Sequence, residues 1–206
     1  MTNTLIIYCH PYNQSFNHAV LESVLKGLSA TEKHPQVVDL YADHFNPCYD
    51  QRELQLYGSG ETTDPQVAQY LTALKKADRL IIITPIWWND IPAILKGFFD
   101  KVMKRGPERA YTPSKYGVAG HLTNIQKSLI LTTSTSPTVY LRLFGGNAIK
   151  GVLIGATLKQ LGVRRAKWQN FGGITSSSPA VRTGYLSSVT KLISAWSRPN
   201  SGLIHP

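Results

Sequence analysis

Five short apolar runs alternate with segments of helical periodicity, and this constrains the chain more than any other feature. Thr4 to Cys9, Gln36 to Leu40, Leu80 to Thr84, Ser128 to Thr132 and Ala166 to Phe171 read as strands. Between them, apolar residues recur every three or four positions. Phe16, Ala19, Val20, Val24 and Leu28 follow a Ser15 cap, and Val67, Ala68, Leu71, Leu74 and Ala77 follow Asp64-Pro65. Further helices are expected over Ala93 to about Lys104, over Asn147 to Leu161 with Gly162 as terminator, and over Ala180 to Trp196. Strands alternating with helices give a parallel sheet covered on both faces. Five strands favour the order 2-1-3-4-5, one domain over residues 1–196 and a polar tail over 197–206.

Composition narrows the class. The strongest apolar runs fall far short of the ~20 residues of a membrane span. Met1 to Tyr8 lacks the basic start and long apolar stretch of a signal peptide, so a soluble, cytoplasmic protein without membrane insertion is expected. Cys9 and Cys48 form neither a C-x-x-C pair nor a zinc pattern; Cys9 reads as a buried free thiol, and no metal site is expected. Charge is divided unevenly. Residues 1–100 carry 7 basic and 11 acidic side chains, whereas residues 101–206 carry 15 basic and one acidic, Glu108. The second half therefore suits an anionic partner or a phosphorylated cofactor. Its basic residues are scattered and no nucleic-acid-binding motif is present, so nucleic acid is not expected.

In such sheets ligands lie beyond the carboxyl ends of the strands, near the switch between strands 1 and 3. Three loops meet there. His10-Pro-Tyr-Asn-Gln-Ser-Phe-Asn17 joins a strand to a helix, where free amides and the helix dipole can hold an anion; a simple capped helix start fits equally. It lacks the phosphate-loop pattern of nucleotide hydrolases. Pro85-Ile-Trp-Trp-Asn-Asp-Ile-Pro92 sets two tryptophans between prolines, a rigid wall for a planar heteroaromatic ligand such as a flavin. Thr132-Thr-Ser-Thr-Ser-Pro137 is rich in hydroxyls and amides, donors suited to charge that develops on a reduced ring; read alone it is only a Ser/Thr turn.

The strings His10 to Asn17 and Pro85-Ile-Trp-Trp-Asn-Asp-Ile-Pro-Ala-Ile-Leu-Lys-Gly-Phe-Phe-Asp-Lys-Val102 resemble the NAD(P)H:quinone oxidoreductase family, over roughly residues 4–135. The resemblance implies a flavodoxin-like three-layer α/β sandwich, non-covalent FMN or FAD, and a homodimer. It also implies two-electron transfer from NADH or NADPH to quinones or similar acceptors in alternating half-reactions. By the same resemblance His10, Ser15, Phe16 and Asn17 lie along the flavin phosphate and ribityl chain. Pro85, Ile86, Trp87 and Trp88 flank the ring, with Trp88 also facing substrate, and Thr133, Ser134 and Thr135 meet the pyrimidine edge. Ala110-Tyr111-Thr112 resembles the family's aromatic lid, which makes Tyr111 a substrate contact. Thr135 and Ser136 replace the usual glycine pair, and Tyr140 is the nearest candidate for a proton-transfer tyrosine.

The chain is shorter than mammalian FAD-binding members, which favours FMN. Its positive charge favours NADPH over NADH. A regulatory flavoprotein subunit that binds a membrane protein or another partner is the competing reading, suggested by the lopsided charge and the tail.

Overall fold

The computed structural model describes residues 3–32 and 34–198, so most of the expected tail at 197–206 lies outside the described residues. Five parallel strands form the main sheet: β1 (Thr4–Tyr8), β2 (Gln36–Asp39), β3 (Arg79–Pro85), β6 (Lys127–Thr133) and β7 (Ala166–Phe171). Their order is β2-β1-β3-β6-β7, which is the 2-1-3-4-5 order expected. Successive side chains of a strand point to opposite faces, so the continuous apolar runs feed two cores at once. Leu5, Ile7, Leu80, Ile82 and Ile130 enter one, while Ile6, Tyr8, Ile81, Ile83, Leu129 and Leu131 enter the other. Fully burying each such aliphatic side chain contributes about 1.5–3 kcal/mol.

Helix α1 (Phe16–Leu28) and helix α6 (Pro179–Trp196) cover the second face. They approach so closely that a methyl group on Gly27 would stand 2.7 Å from Ile193 Cβ. The first face receives α3 (Pro65–Lys76), α4 (Ala93–Val102) and a π-helix over Ile149–Leu158. The π-helix occupies the segment expected to be an ordinary helix; Gly151 and Gly155 inside it weaken the usual α preference.

Three segments between the expected strands and helices contain structure of their own. Residues 41–60 hold the short helix α2 (Gln51–Gln55), capped by Asp50, whose carboxylate accepts from the Glu53 amide at 2.7 Å. Residues 106–123 hold an antiparallel hairpin of β4 (Tyr111–Ser114) and β5 (Gly117–Gly120), separate from the main sheet. Residues 133–146 hold α5 (Thr138–Leu143). Elements this short carry too few apolar repeats to show periodicity and depend on tertiary support. Among the described residues no helix is long and apolar enough to cross a membrane.

Candidate functional site

β1 ends at Tyr8, and the Cys9 amide continues the ladder by donating to the Ile83 carbonyl at 2.9 Å. The chain then turns through His10 to Ser15, and Ser15 caps α1 by accepting from the His18 amide at 3.1 Å. Among the described residues the amides of Phe16 and Asn17 donate to no protein acceptor. They are the open donors of a helix start, aligned with the positive end of its dipole. The Phe16 ring packs edge-on against Phe171 and Tyr185, so it anchors the helix start to the second core. His10 lies edge-on to Trp87, and its Nδ1 accepts from the Tyr12 amide at 3.1 Å. Burial holds the His10 pKa below the ordinary imidazole value, so the ring is neutral at pH 7.

The second loop leaves β3 at Pro85, the register partner of Thr133. The Ile86 amide donates to the Thr133 carbonyl at 2.8 Å, which couples this loop to the third. Trp87 and Asp90 exchange two backbone hydrogen bonds of 2.9 and 3.1 Å, closing a two-residue turn whose centre is Trp88 and Asn89. Both central residues have positive φ, 51° and 66°. A bulky residue rarely adopts that backbone, and such strain persists only where the surroundings impose it. The result is a Trp88 side chain that is 99% exposed, while Trp87 is 42% exposed and rests against His10. Trp88 serves no core.

The third loop is held from below. Asn17 is buried and donates to the Thr133 hydroxyl at 2.7 Å, while its own side-chain oxygen is buried without a donor. Asn170 on β7 donates to the hydroxyls of Ser134 and Thr138, both at 2.9 Å, and accepts from Thr132 at 2.7 Å. The Ser134 hydroxyl in turn donates to the Ser136 carbonyl at 2.7 Å. The hydroxyls of Thr133 and Ser134 are thus committed to shaping the loop. The Thr135 side chain is exposed, and among the described residues the amides of Thr135 and Ser136 donate to no protein acceptor. Asn170 escaped the sequence reading because a polar residue near the end of a strand leaves no pattern.

Loops two and three enclose a cleft of about 290 Å³ lined by Ile86, Trp88, Asn89, Ser134, Thr135, Ser136, Tyr140 and Leu141. Loop one borders it through the His10–Trp87 and Asn17–Thr133 contacts. Asn89 and Leu141 join the residues named from the sequence, and Ser136, noted there only as a glycine replacement, lines the cleft as well. Tyr140 stands in the cleft wall, its ring stacked on Phe144 at 6.3 Å. Tyr111 is not brought to this cleft within one chain. It lines a separate cavity of about 260 Å³ between α4, the hairpin and the π-helix. Its hydroxyl lies 3.1 Å from that of Tyr57, and burial, followed by Tyr57, pushes its pKa up to about 12.

The segment that supplies Tyr57 is locked to α4 from inside. Glu53 and Lys104 are both buried and meet at 2.9 Å. Burial opposes ionisation of Glu53, but Lys104, the Thr63 amide and the Thr62 and Thr63 hydroxyls outweigh it and hold the pKa at about 2. Lys101 adds a second buried contact, to Asp64 at 3.0 Å.

A family profile described as a flavodoxin-like fold matches residues 2–191. NAD(P)H dehydrogenase (quinone) 1 of Cavia porcellus is 31% identical over 209 residues, covering 90% of this chain and 74% of that one. Among solved structures, the NAD(P)H:quinone oxidoreductase of Methanothermobacter marburgensis superposes with a TM-score of 0.82 at 27% identity, over 97% of this chain and 98% of its own. The FMN-dependent NADH-azoreductase of Bacillus anthracis, solved with FMN, shares the fold with a TM-score of 0.77 at 19% identity, over 96% of this chain and all of that one.

Proposed function

Because the chain belongs to the NAD(P)H:quinone oxidoreductase family of flavodoxin-like proteins, we propose that it carries two electrons from NADH or NADPH, by way of a bound flavin, to quinones or similar flat acceptors. The observation that carries this reading is the cleft beyond β3 and β6. An exposed tryptophan in a strained turn stands there beside a row of open amides.

The residues present fit a flavin. Open amides at the start of α1 and the neutral His10 suit its phosphate and ribityl chain, with Ser15 and Phe16 fixing that helix start and Asn17 joining it to the third loop. The unpartnered oxygen of buried Asn17 is an acceptor that the protein itself leaves without a donor. Pro85, Ile86, Trp87 and Trp88 would flank the ring. Thr135 and Ser136 would offer amides to its pyrimidine edge, in a loop shaped by Thr133 and Ser134. When bound, the flavin would supply hydride acceptance and hydride donation, a transfer that itself needs no side-chain acid or base, while the proton that completes a reduced quinone comes from water or a side chain. The protein's contribution is to orient flat partners, exclude water and place donors where negative charge develops. Donor and acceptor would use the same face of the ring in alternation. Tyr140 in the cleft wall is a candidate proton donor to the reduced acceptor.

FMN is the preferred cofactor in this reading. In a homodimer, Tyr111 of the second copy would close over substrate, since within one chain it lines a different cavity. Purified protein is expected to be yellow or to take up flavin, and then to oxidise NAD(P)H when benzoquinone is added. Mass analysis of heat-released cofactor identifies it. Protein that neither binds flavin nor shows quinone-dependent NAD(P)H oxidation would refute the reading.

A further inference from the structure

Across α5 from the cleft lies a second groove, of about 460 Å³, alongside β7. Leu141 lines the cleft and its neighbour Arg142 lines the groove, so one short helix separates the two. A helix with its side chains is ~10–12 Å across, a distance that an extended dinucleotide spans. The groove is lined by one aromatic plane and two cations. Trp168 supplies the plane, its ring held by an Nε1–H donated to the Thr132 hydroxyl at 2.8 Å. Arg142 lies over that ring, its Cζ 5.4 Å from the centroid, and among the described residues its guanidinium donates to no protein acceptor. Lys150, at the start of the π-helix, supplies the second cation, and Ile154 and Ala166 complete an apolar side.

Neither cation is neutralised. Among the described residues Arg142 and Lys150 meet no carboxylate, and the sequence contains no Asp or Glu beyond Glu108. Asn147, also on the groove wall, carries a buried side-chain oxygen with no donor. A guanidinium and an ammonium beside an aromatic plane recognise a phosphomonoester attached to a flat base.

We propose that this groove seats the 2′-phosphoadenosine end of NADPH, with Arg142 and Lys150 on the 2′-phosphate, so that the enzyme selects NADPH over NADH. The inference rests on the function proposed above, because it places the nicotinamide end of the same molecule in the cleft. It assigns the surplus of positive charge a specific anion, one that distinguishes two otherwise identical reductants.

The test is calorimetric titration of the flavin-loaded protein with 2′,5′-ADP, 5′-AMP and inorganic phosphate as separate probes. 2′,5′-ADP should bind at least tenfold more tightly than 5′-AMP, and inorganic phosphate more weakly than either. The double variant R142A/K150A should erase that difference with flavin content unchanged. Its KM for NADPH should rise about tenfold, with KM for NADH unmoved. R142E/K150E, which alters only exposed side chains, should push the preference to NADH. Equal affinity for 2′,5′-ADP and 5′-AMP, or a preference that survives both variants, overturns the proposal. So does phosphate alone matching 2′,5′-ADP, which would mark a general anion patch. Protein that takes no flavin yet keeps the 2′,5′-ADP preference would sink the flavin reading and leave the phosphate seat standing. A flavoprotein that oxidises both reductants equally and lacks the preference would do the reverse.

Discussion

The side-chain amide of Asn17 donates to the hydroxyl of Thr133 at 2.7 Å, joining two loops 116 positions apart in sequence. The bond is buried, and it fixes the first residue of the third loop to the first turn of α1. Replacing Asn17 with alanine removes the donor and strands a buried hydroxyl, which costs about 1–3 kcal/mol. In a chain of this size the melting temperature should fall by about 2–4 °C for each kcal/mol lost. Flavin affinity should fall as well, since the loop amides lose their reference point. Thermal unfolding and fluorescence titration of N17A read the two effects separately. Unchanged values in both would show that the bond positions nothing.

Trp88 gives the opposite pattern. Its side chain touches almost no protein, so W88A should leave stability within ~0.5 kcal/mol of the parent. W88G should be slightly more stable, by about 0.5–1 kcal/mol, because glycine accepts the positive φ without strain. Both variants should nonetheless bind flavin at least tenfold more weakly, from loss of the aromatic wall. Full flavin binding in W88A would remove the ring from the site.

Buried Glu53 ties acid sensitivity to one ion pair. Its pKa in the folded protein, about 2, lies below the ordinary value of 4.5, so the folded state favours the charged carboxylate. The stabilisation is complete above pH 4.5 and disappears as pH falls toward 2. E53Q leaves Lys104 buried without a counter-charge and should cost about 3–5 kcal/mol at neutral pH. Denaturant unfolding as a function of pH should show a descending limb in the parent. That limb should be shallower in E53Q.

The two thiols should react very differently. Burial pushes the Cys9 pKa up to about 12, while Cys48 is exposed. A thiol-specific disulfide reagent at pH 8 should modify one cysteine per native chain and two after unfolding. Rapid loss of both in native buffer would contradict the burial of Cys9.

The sheet was legible because its strands are continuous apolar runs between periodic helices, and nothing else satisfies both periods in that order. The loops beyond β1, β3 and β6 followed from strand order. Trp88 followed from the cost of placing two adjacent tryptophans between prolines. Asn170 was not legible, since its partners Ser134 and Thr138 lie 36 and 32 positions away and meet only through sheet register. The Glu53–Lys104 pair was hidden for the same reason: a charged residue in a polar segment reads as solvated until the fold closes over it. The separation of Tyr111 from the cleft is a fact of tertiary path, which no motif encodes.

The turn from Trp87 to Asp90 holds its central indole by backbone alone, with two reciprocal hydrogen bonds and no side-chain packing. The direction of its Cα–Cβ bond is therefore set during folding, while the unpacked ring keeps its rotamer freedom until a partner arrives. A plane that stacks on it meets a backbone already ordered, so binding costs the rotamer entropy of one indole and not the ordering of a whole loop.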